Sequence, residues 1–338
     1  IVNRKAFPRS GPSAQAVCRM ATVIATALIL TTIRGVSSQV RRAGRVCYSC
    51  LGAVGGGGGP GAMPKGEKLH RMPRLYVDRA LKSGDIVNFD SVQSNYLSQV
   101  MRMKPDSLCR VFDGKTGEYL CRIQQVDRRS TVGGVLEKIR DLAEEEASLG
   151  KNRPQLLFTP LKSKSRMQFL VEKATELGVG SMQPVITKRT EVSKVNTQKL
   201  RAYCIEASEQ CERLSVPEIH EIQTLDSILE TWGEEAGGDA VLMPELFCCI
   251  ERGDGDVPEL AQRLDDSVLA GPNAQLRKTG FLVGPEGGFD DFEQEALQSY
   301  PCTVCVRLGP LILRAETAAI AALSTYRMIL SSQIRSNK

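Results

Sequence analysis

Histidine is almost missing from this chain of 338 residues, which has two, His70 and His220. A His-Glu-x-x-His zinc helix cannot be assembled from them, and neither lies near a glycine-flanked serine, so a Ser-His-Asp hydrolase is unsupported. No Walker loop occurs, and no Gly-x-Gly-x-x-Gly turn follows a strand pattern. The one formal match, at Gly56, Gly58 and Gly61, sits in a glycine run with no strand leading in and no helix leading out, and reads as a linker. Long apolar runs are missing as well. Met20 to Ile33 is a 14-residue apolar or hydroxyl-bearing run between Arg19 and Arg34, too short for a comfortable membrane span but compatible with a signal h-region.

Acid is missing from one end only. Residues 1–60 carry eight Lys or Arg and no Asp or Glu, so removing them from the totals leaves 36 basic against 39 acidic residues. With its Arg, Ser, Ala and Gly content, the stretch to about residue 62 has the composition of an organellar transit sequence, with a plastid favoured over a mitochondrion and no membrane role in the mature form. The remainder is polarised. Residues 65–129 hold 13 basic and 8 acidic groups, and the chain beyond holds 23 and 31, so a small basic domain precedes a large acidic one. A basic surface suits a polyanion without proving one.

Eleven cysteines are scattered through a chain long enough to stabilise itself by burial, which argues against a disulfide framework. Of two Cys-x-x-Cys pairs, Cys47/Cys50 lies in the leader and Cys302/Cys305 in a strand pattern, where residues three apart face opposite sides. Both read as thiols, not as a zinc site.

From 68 to 130, short alternating segments around Arg74 to Val77, Asp85 to Phe89, Leu108 to Phe112 and Tyr119 to Ile123 predict a small β-barrel with one short helix over 95–103. A charged run, 136–146, predicts a linker helix within 131–153. A β-α-β unit then opens an α/β domain over 154–332: strand 155–159, a helix with Met167, Leu170, Val171 and Ala174 on one face and Gly178 at its end, and strand 182–187. Further strands are expected at 240–243, 279–283 and 303–308, with an acidic insertion or loop over 253–275. Asp290 and Glu293 have the spacing of a helix N-terminal capping pair.

The densest information lies between Gly280 and Met328. Twice, a short apolar strand ends in a Gly-Pro turn with a carboxylate close behind: Leu282-Val283-Gly284-Pro285-Glu286-Gly287-Gly288-Phe289, and Leu308-Gly309-Pro310-Leu311-Ile312-Leu313-Arg314-Ala315-Glu316-Thr317-Ala318. Such turns bring bare backbone amides and carbonyls up to a small ligand, and two of them suggest one pocket. The alanine-rich run after the second predicts a helix buried on more than one side.

These two runs closely resemble the signature of the ribosomal RNA small subunit methyltransferase E family, S-adenosylmethionine enzymes of the trefoil-knotted SPOUT superfamily. Glu172 to Val179, Lys188-Arg189-Thr190 and Glu206 to Arg213 extend the resemblance. Arg74 to Val77 and Val111 to Gly114 look like the family's PUA-like RNA-binding barrel. Departures occur at Asn95-Tyr96, Cys211-Glu212 and Ser165, mostly on the RNA side. The resemblance implies a C-terminal SPOUT domain with a mainly parallel sheet, a homodimer, and methylation of N3 of one uridine in small-subunit ribosomal RNA. The rivals are another base or RNA modified on the same fold, and a non-catalytic assembly factor. S-adenosylmethionine is expected against Met243, Leu282, Val283, Gly284, Pro285, Glu286, Gly287, Leu308, Gly309, Leu313, Thr317 and Ala318. RNA is expected against Arg71, Arg74, Arg102, Lys104, Lys173, Arg189 and Arg213. No metal is implied. Arg314 is the candidate for stabilising charge on the uracil, and Glu316 or Glu286 for taking its proton. Glu316 capping the last helix, or pairing with Arg314 to hold the loop, is the structural alternative.

Overall fold

The computed structural model describes residues 69–149, 153–232, 244–250, 257–267 and 278–336. The leader, Met243 and the strand expected at 240–243 lie outside them. Among the described residues no helix is long and apolar enough to cross a membrane.

The first half is a barrel-like five-stranded sheet in the order β1-β3-β4-β5-β2, with β1 (Arg74–Tyr76), β2 (Ile86–Asn88), β3 (Leu108–Phe112), β4 (Gly117–Gln125) and β5 (Val132–Asp141). β1 pairs with β3 in parallel, and the other pairings are antiparallel. Leu75, Val87, Phe89, Leu97, Val111 and Ile123 fill its interior. The short helix starts earlier than expected: α1 (Ser91–Asn95) opens on a capping box between Asp90 and Gln93 and continues as a π turn over Tyr96–Val100. The linker helix is also corrected. β5 runs through the start of the charged stretch, and helix occupies only α2 (Leu142–Leu149). Glu137 and Lys138 are both exposed in the strand, and pairing with β4 outweighs their helical propensity.

The second half is a seven-stranded sheet in which every pairing is parallel. Its order is β12-β10-β11-β6-β7-β8, with β9 (Gln223–Thr224) also on β7. The strands are β6 (Gln155–Phe158), β7 (Ser181–Ile186), β8 (Glu218–Ile219), β10 (Glu245–Cys249), β11 (Thr279–Val283) and β12 (Thr303–Val306). The sequence reading passed over β10, as it did β5 and the two-residue strands β8 and β9. β10 is a continuous buried run with no alternation to mark it, and Pro244 stands just before its first residue, where a missing N–H is tolerated.

Helices cover both faces. On one lie α3 (Lys164–Glu176), α4 (Thr197–Gln210), α6 (Leu260–Ser267) and α8 (Ala315–Ser336); on the other lie α5 (Leu225–Trp232) and α7 (Asp291–Ser299). The helix α6 falls inside the stretch read as a loop, with Leu260 and Leu264 anchoring it in the core. In α8 the small residues Ala318, Ala319 and Ala322 are buried, which lets the helix lie close to the sheet and to α3. Gly178 ends the α3 segment at φ 88°, as expected for a left-handed cap.

Arginines join the halves. Arg74 donates to Glu118 Oε1 at 2.6 Å, to the Ser208 carbonyl at 2.7 Å and to the Arg213 carbonyl at 2.8 Å, and its guanidinium stacks on Phe112. Glu118 is fully buried and also takes Arg110 and Arg140. Glu145 on α2 binds Arg153 and the backbone of Ser215.

Candidate active site

Val283 ends β11 and the chain turns at Gly284-Pro285. The turn closes with Gly288 N–H donating to the Pro285 carbonyl at 2.9 Å and Gly288 at φ 69°. Asp290 then caps α7: its side chain accepts from Glu293 N–H at 2.8 Å while Glu293 accepts from Asp290 N–H at 2.9 Å, the reciprocal box expected from the sequence. Beyond β12 the chain makes its second turn, with Gly309 at φ 116°, and enters α8.

The two turns face one cavity of ≈ 500 Å³, lined by residues 283–289 of the first and 308–315 of the second, with Cys249, Ile250, Arg189, Gln294 and Ala318 completing it. It lies beyond the carboxyl ends of β10, β11 and β12, where open parallel sheets characteristically bind ligands, and its size suits a small molecule. Among the described residues the backbone of 308–313 makes no hydrogen bond to another backbone group. Leu308, Pro310 and Leu313 add apolar surface beside it. This combination of backbone amides, carbonyls and apolar side chains fits a nucleoside carrying an amino-acid tail.

Nine of the residues expected at the cofactor line this cavity: Val283, Gly284, Pro285, Glu286, Gly287, Leu308, Gly309, Leu313 and Ala318. Leu282 does not, because strand alternation turns it into the core formed with α5 and α7. Thr317 is exposed on the first turn of α8 and does not line the cavity either. Gly284 has a different reason to be glycine than ligand clearance: a Cβ there meets the Phe289 ring at 2.9 Å. At Gly309 a Cβ meets nothing, and it is φ 116° that demands glycine.

The charged groups sort themselves unexpectedly. Arg314 lines the cavity, is exposed, and its side chain makes no hydrogen bond or ion pair among the described residues. Glu316 is buried and pairs not with Arg314 but with Arg166. Arg166 Nε and Nη2 donate to its two oxygens at 2.8 and 2.6 Å, and Arg166 Nη1 reaches Glu286 Oε1 at 3.2 Å. The Arg166 hydrogen bonds hold the Glu316 carboxyl below its ordinary range, and the nearby charge of Arg314 pushes the same way. Glu316 therefore has both oxygens engaged by Arg166, which makes Glu286 the better placed of the two candidate bases. Glu286 keeps one oxygen clear of Arg166 and its side chain is 49 % exposed. Arg166 was missed as a functional residue: its only sequence signal is its place in the first turn of a capped helix.

The residues expected at RNA divide as well. Arg71, Arg102 and Lys104 are exposed on the barrel. Arg74 is not, being consumed by Glu118 and two carbonyls. Arg213 is buried too, donating to the carbonyls of Thr175 and Val179 at 3.0 and 2.6 Å, with burial lowering its pKa to about 10. Both are structural cations, charged at neutral pH and unavailable to a phosphate. Lys173 is half-exposed and paired with Glu176 at 2.7 Å. Arg189 lines the cavity, its Nη1 donating to the carbonyls of Gly287 and Phe289 at 2.7 and 3.2 Å, so it shapes the first turn. Cys302 is buried and Cys305 half-buried, and no metal-holding group exists among the described residues.

Residues 151–327 match the family model described as RNA methyltransferase domain, and residues 90–132 the one described as RNA methyltransferase PUA domain. Among characterised proteins, the chain is similar to ribosomal RNA small subunit methyltransferase E of Rickettsia conorii, 28% identical over 257 residues that cover 76% of this chain and 95% of the relative. That of Synechocystis sp. is 29% identical, covering 73% and 74%. Among solved structures, ribosomal RNA small subunit methyltransferase E from Neisseria gonorrhoeae bound to S-adenosyl methionine superposes with TM-score 0.61 at 25% identity, covering 77% of this chain and 98% of that one. A putative methyltransferase from Legionella pneumophila with bound SAM gives TM-score 0.61 at 23% identity, covering 76% and 98%, and shows the shared fold.

Proposed function

Because this chain belongs to the RNA methyltransferase domain family, we propose that it methylates N3 of a specific uridine in small-subunit ribosomal RNA, with S-adenosylmethionine as the methyl donor. The observation that carries this reading is the one cavity formed by both Gly-Pro turns, with Arg314, whose side chain pairs with none of the described residues, at its edge. Residues 283–287 and 308–313 would hold the cofactor through backbone groups and apolar side chains.

When bound, the cofactor supplies a sulfonium methyl that is already a strong electrophile. The protein's work is then to align the acceptor and to manage a proton. Uridine N3 carries a proton at neutral pH. Glu286, which lines the cavity and keeps one carboxylate oxygen clear of Arg166, accepts it directly or through a water. Arg314 stabilises the negative charge that spreads onto the uracil oxygens as the proton leaves. Arg71, Arg102 and Lys104 on the barrel hold RNA phosphates. The exposed apolar groups Phe292, Leu311 and Ile312 support a homodimer, in which a second copy covers them.

Single-turnover methylation of small ribosomal subunits, read by mass spectrometry of the RNA, tests the proposal. The wild-type protein adds one methyl group at N3 of one uridine. Arg314→Lys keeps the charge but loses the planar fork, so it retains the wild-type Tm and slows transfer by about a hundredfold. Methylation of Arg314→Lys at the wild-type rate removes that residue from the reaction.

A further inference from the structure

We propose that Arg166 is a positioning residue for methyl transfer, holding the two cofactor turns in register through Glu286 and Glu316. This rests on the reading of the cavity as the S-adenosylmethionine site. The three residues come from distant parts of the chain: Arg166 lies 120 residues from Glu286 and 150 from Glu316. Glu286 belongs to the first turn and Glu316 follows the second, so one guanidinium spans the pair of loops that form the cavity.

The clamp has a fixed end and a loose end. Two parallel hydrogen bonds join Arg166 to Glu316, whose side chain is 10 % exposed, whereas a single bond of 3.2 Å joins it to the half-exposed Glu286. Bidentate pairing fixes direction as well as distance, and only a planar guanidinium with several donors can make it while reaching a third group. The fixed end matters for Arg314. Glu316 sits in the first turn of α8, where the Arg314 carbonyl accepts from Ala318 N–H at 2.8 Å. Anchoring Glu316 therefore sets where α8 starts and where the Arg314 side chain leaves the backbone. The loose end leaves Glu286 tethered with one oxygen uncommitted. Arg166 thus acts through Glu286, Glu316 and Arg314, and does not line the cavity itself.

The test uses the full chain with Arg166→Gln, Arg166→Lys, Glu316→Gln and the Arg166→Gln/Glu316→Gln double variant. S-adenosylmethionine affinity is measured by calorimetry and transfer by single turnover, below the melting temperature of each variant. Arg166→Gln and Glu316→Gln each weaken cofactor binding by about tenfold, and the double variant is no weaker than either, because the two residues act as one unit. Arg166→Lys restores part of the affinity but leaves transfer slow, since the charge returns without the fork. Where Arg166→Gln does not fold, Glu286→Gln, which takes the charge from the exposed Arg166–Glu286 contact, carries the affinity measurement and weakens binding by about threefold. Affinity and transfer within twofold of wild type in folded Arg166→Gln, or fully additive losses in the double variant, overturn the positioning role. Absence of cofactor binding by the wild-type protein is a different result, which overturns the reading of the cavity itself.

Discussion

Gly309 and Glu316 show how a single position in this site answers to backbone or to charge. At Gly309 the space around a Cβ is open and φ is 116°, so Gly309→Ala strains the backbone without any clash. The expected cost is about 1 to 3 kcal/mol, and because the turn lines the cavity, calorimetry should show weaker S-adenosylmethionine binding alongside a lower Tm. At Glu316 the folded-state pKa is lowered by Arg166, so the pair stabilises the fold above the ordinary carboxylate range and that contribution is lost as the pH falls through the lowered value. Acid unfolding followed by circular dichroism should therefore show a wild-type transition that Glu316→Gln makes shallower on its acid side. An unchanged profile would mean that the pair contributes nothing to stability.

The helix α7 illustrates what a short element owes to its ends. It has nine residues and one fully buried side chain, Leu297, so packing alone holds it weakly and its capping box carries a large share. Glu293 also accepts from Lys188 N–H at 2.6 Å, tying the loop after β7 to the same cap. Asp290→Ala removes the side chain that accepts from Glu293 N–H and should cost about 1 kcal/mol, a fall in Tm of about 2 to 4 °C. The cap lies directly after the first turn, so hydrogen exchange of residues 284–294 should quicken more than that of the barrel. Equal exchange in both regions would assign the cap a purely global role.

For the whole molecule, the decisive feature is the set of arginines between barrel and methyltransferase domain. Glu118 is fully buried with three arginines around it, and one of these, Arg74, also binds two carbonyls of the second half. Glu118→Ala leaves Arg74 buried without a counter-charge and Arg110 with only the partly exposed Glu212, at a cost of about 3 to 5 kcal/mol, enough to lower Tm by roughly 10 °C. Differential scanning calorimetry measures it, and a shift under about 2 °C would contradict the assignment. The barrel's exposed cations are a separate population. Replacing Arg71, Arg102 and Lys104 together by alanine should reduce the salt dependence of RNA binding by roughly 2 to 3 in the log–log slope while leaving cofactor affinity unchanged. An unchanged slope in a filter-binding titration would place the RNA elsewhere.

Much that depends on neighbours in the chain was legible from the sequence: the two Gly-Pro turns, the Asp290/Glu293 cap, the apolar face of α3 and the β-α-β start, although the Asp90/Gln93 cap of α1 was passed over. These follow from backbone preference and side-chain period, which act over a few residues. What the tertiary structure alone decided was partnership. Arg74 and Arg102 look alike in the sequence, yet Arg74 faces a carboxylate 44 residues away and is buried, while Arg102 meets solvent. Glu316 could as well have paired with Arg314, two residues before it, as with Arg166, 150 residues before it. Local spacing does not distinguish those outcomes. The charge of a side chain is set by its type, but whether that charge serves the fold or the substrate is set by which distant group the packing brings within 3 Å.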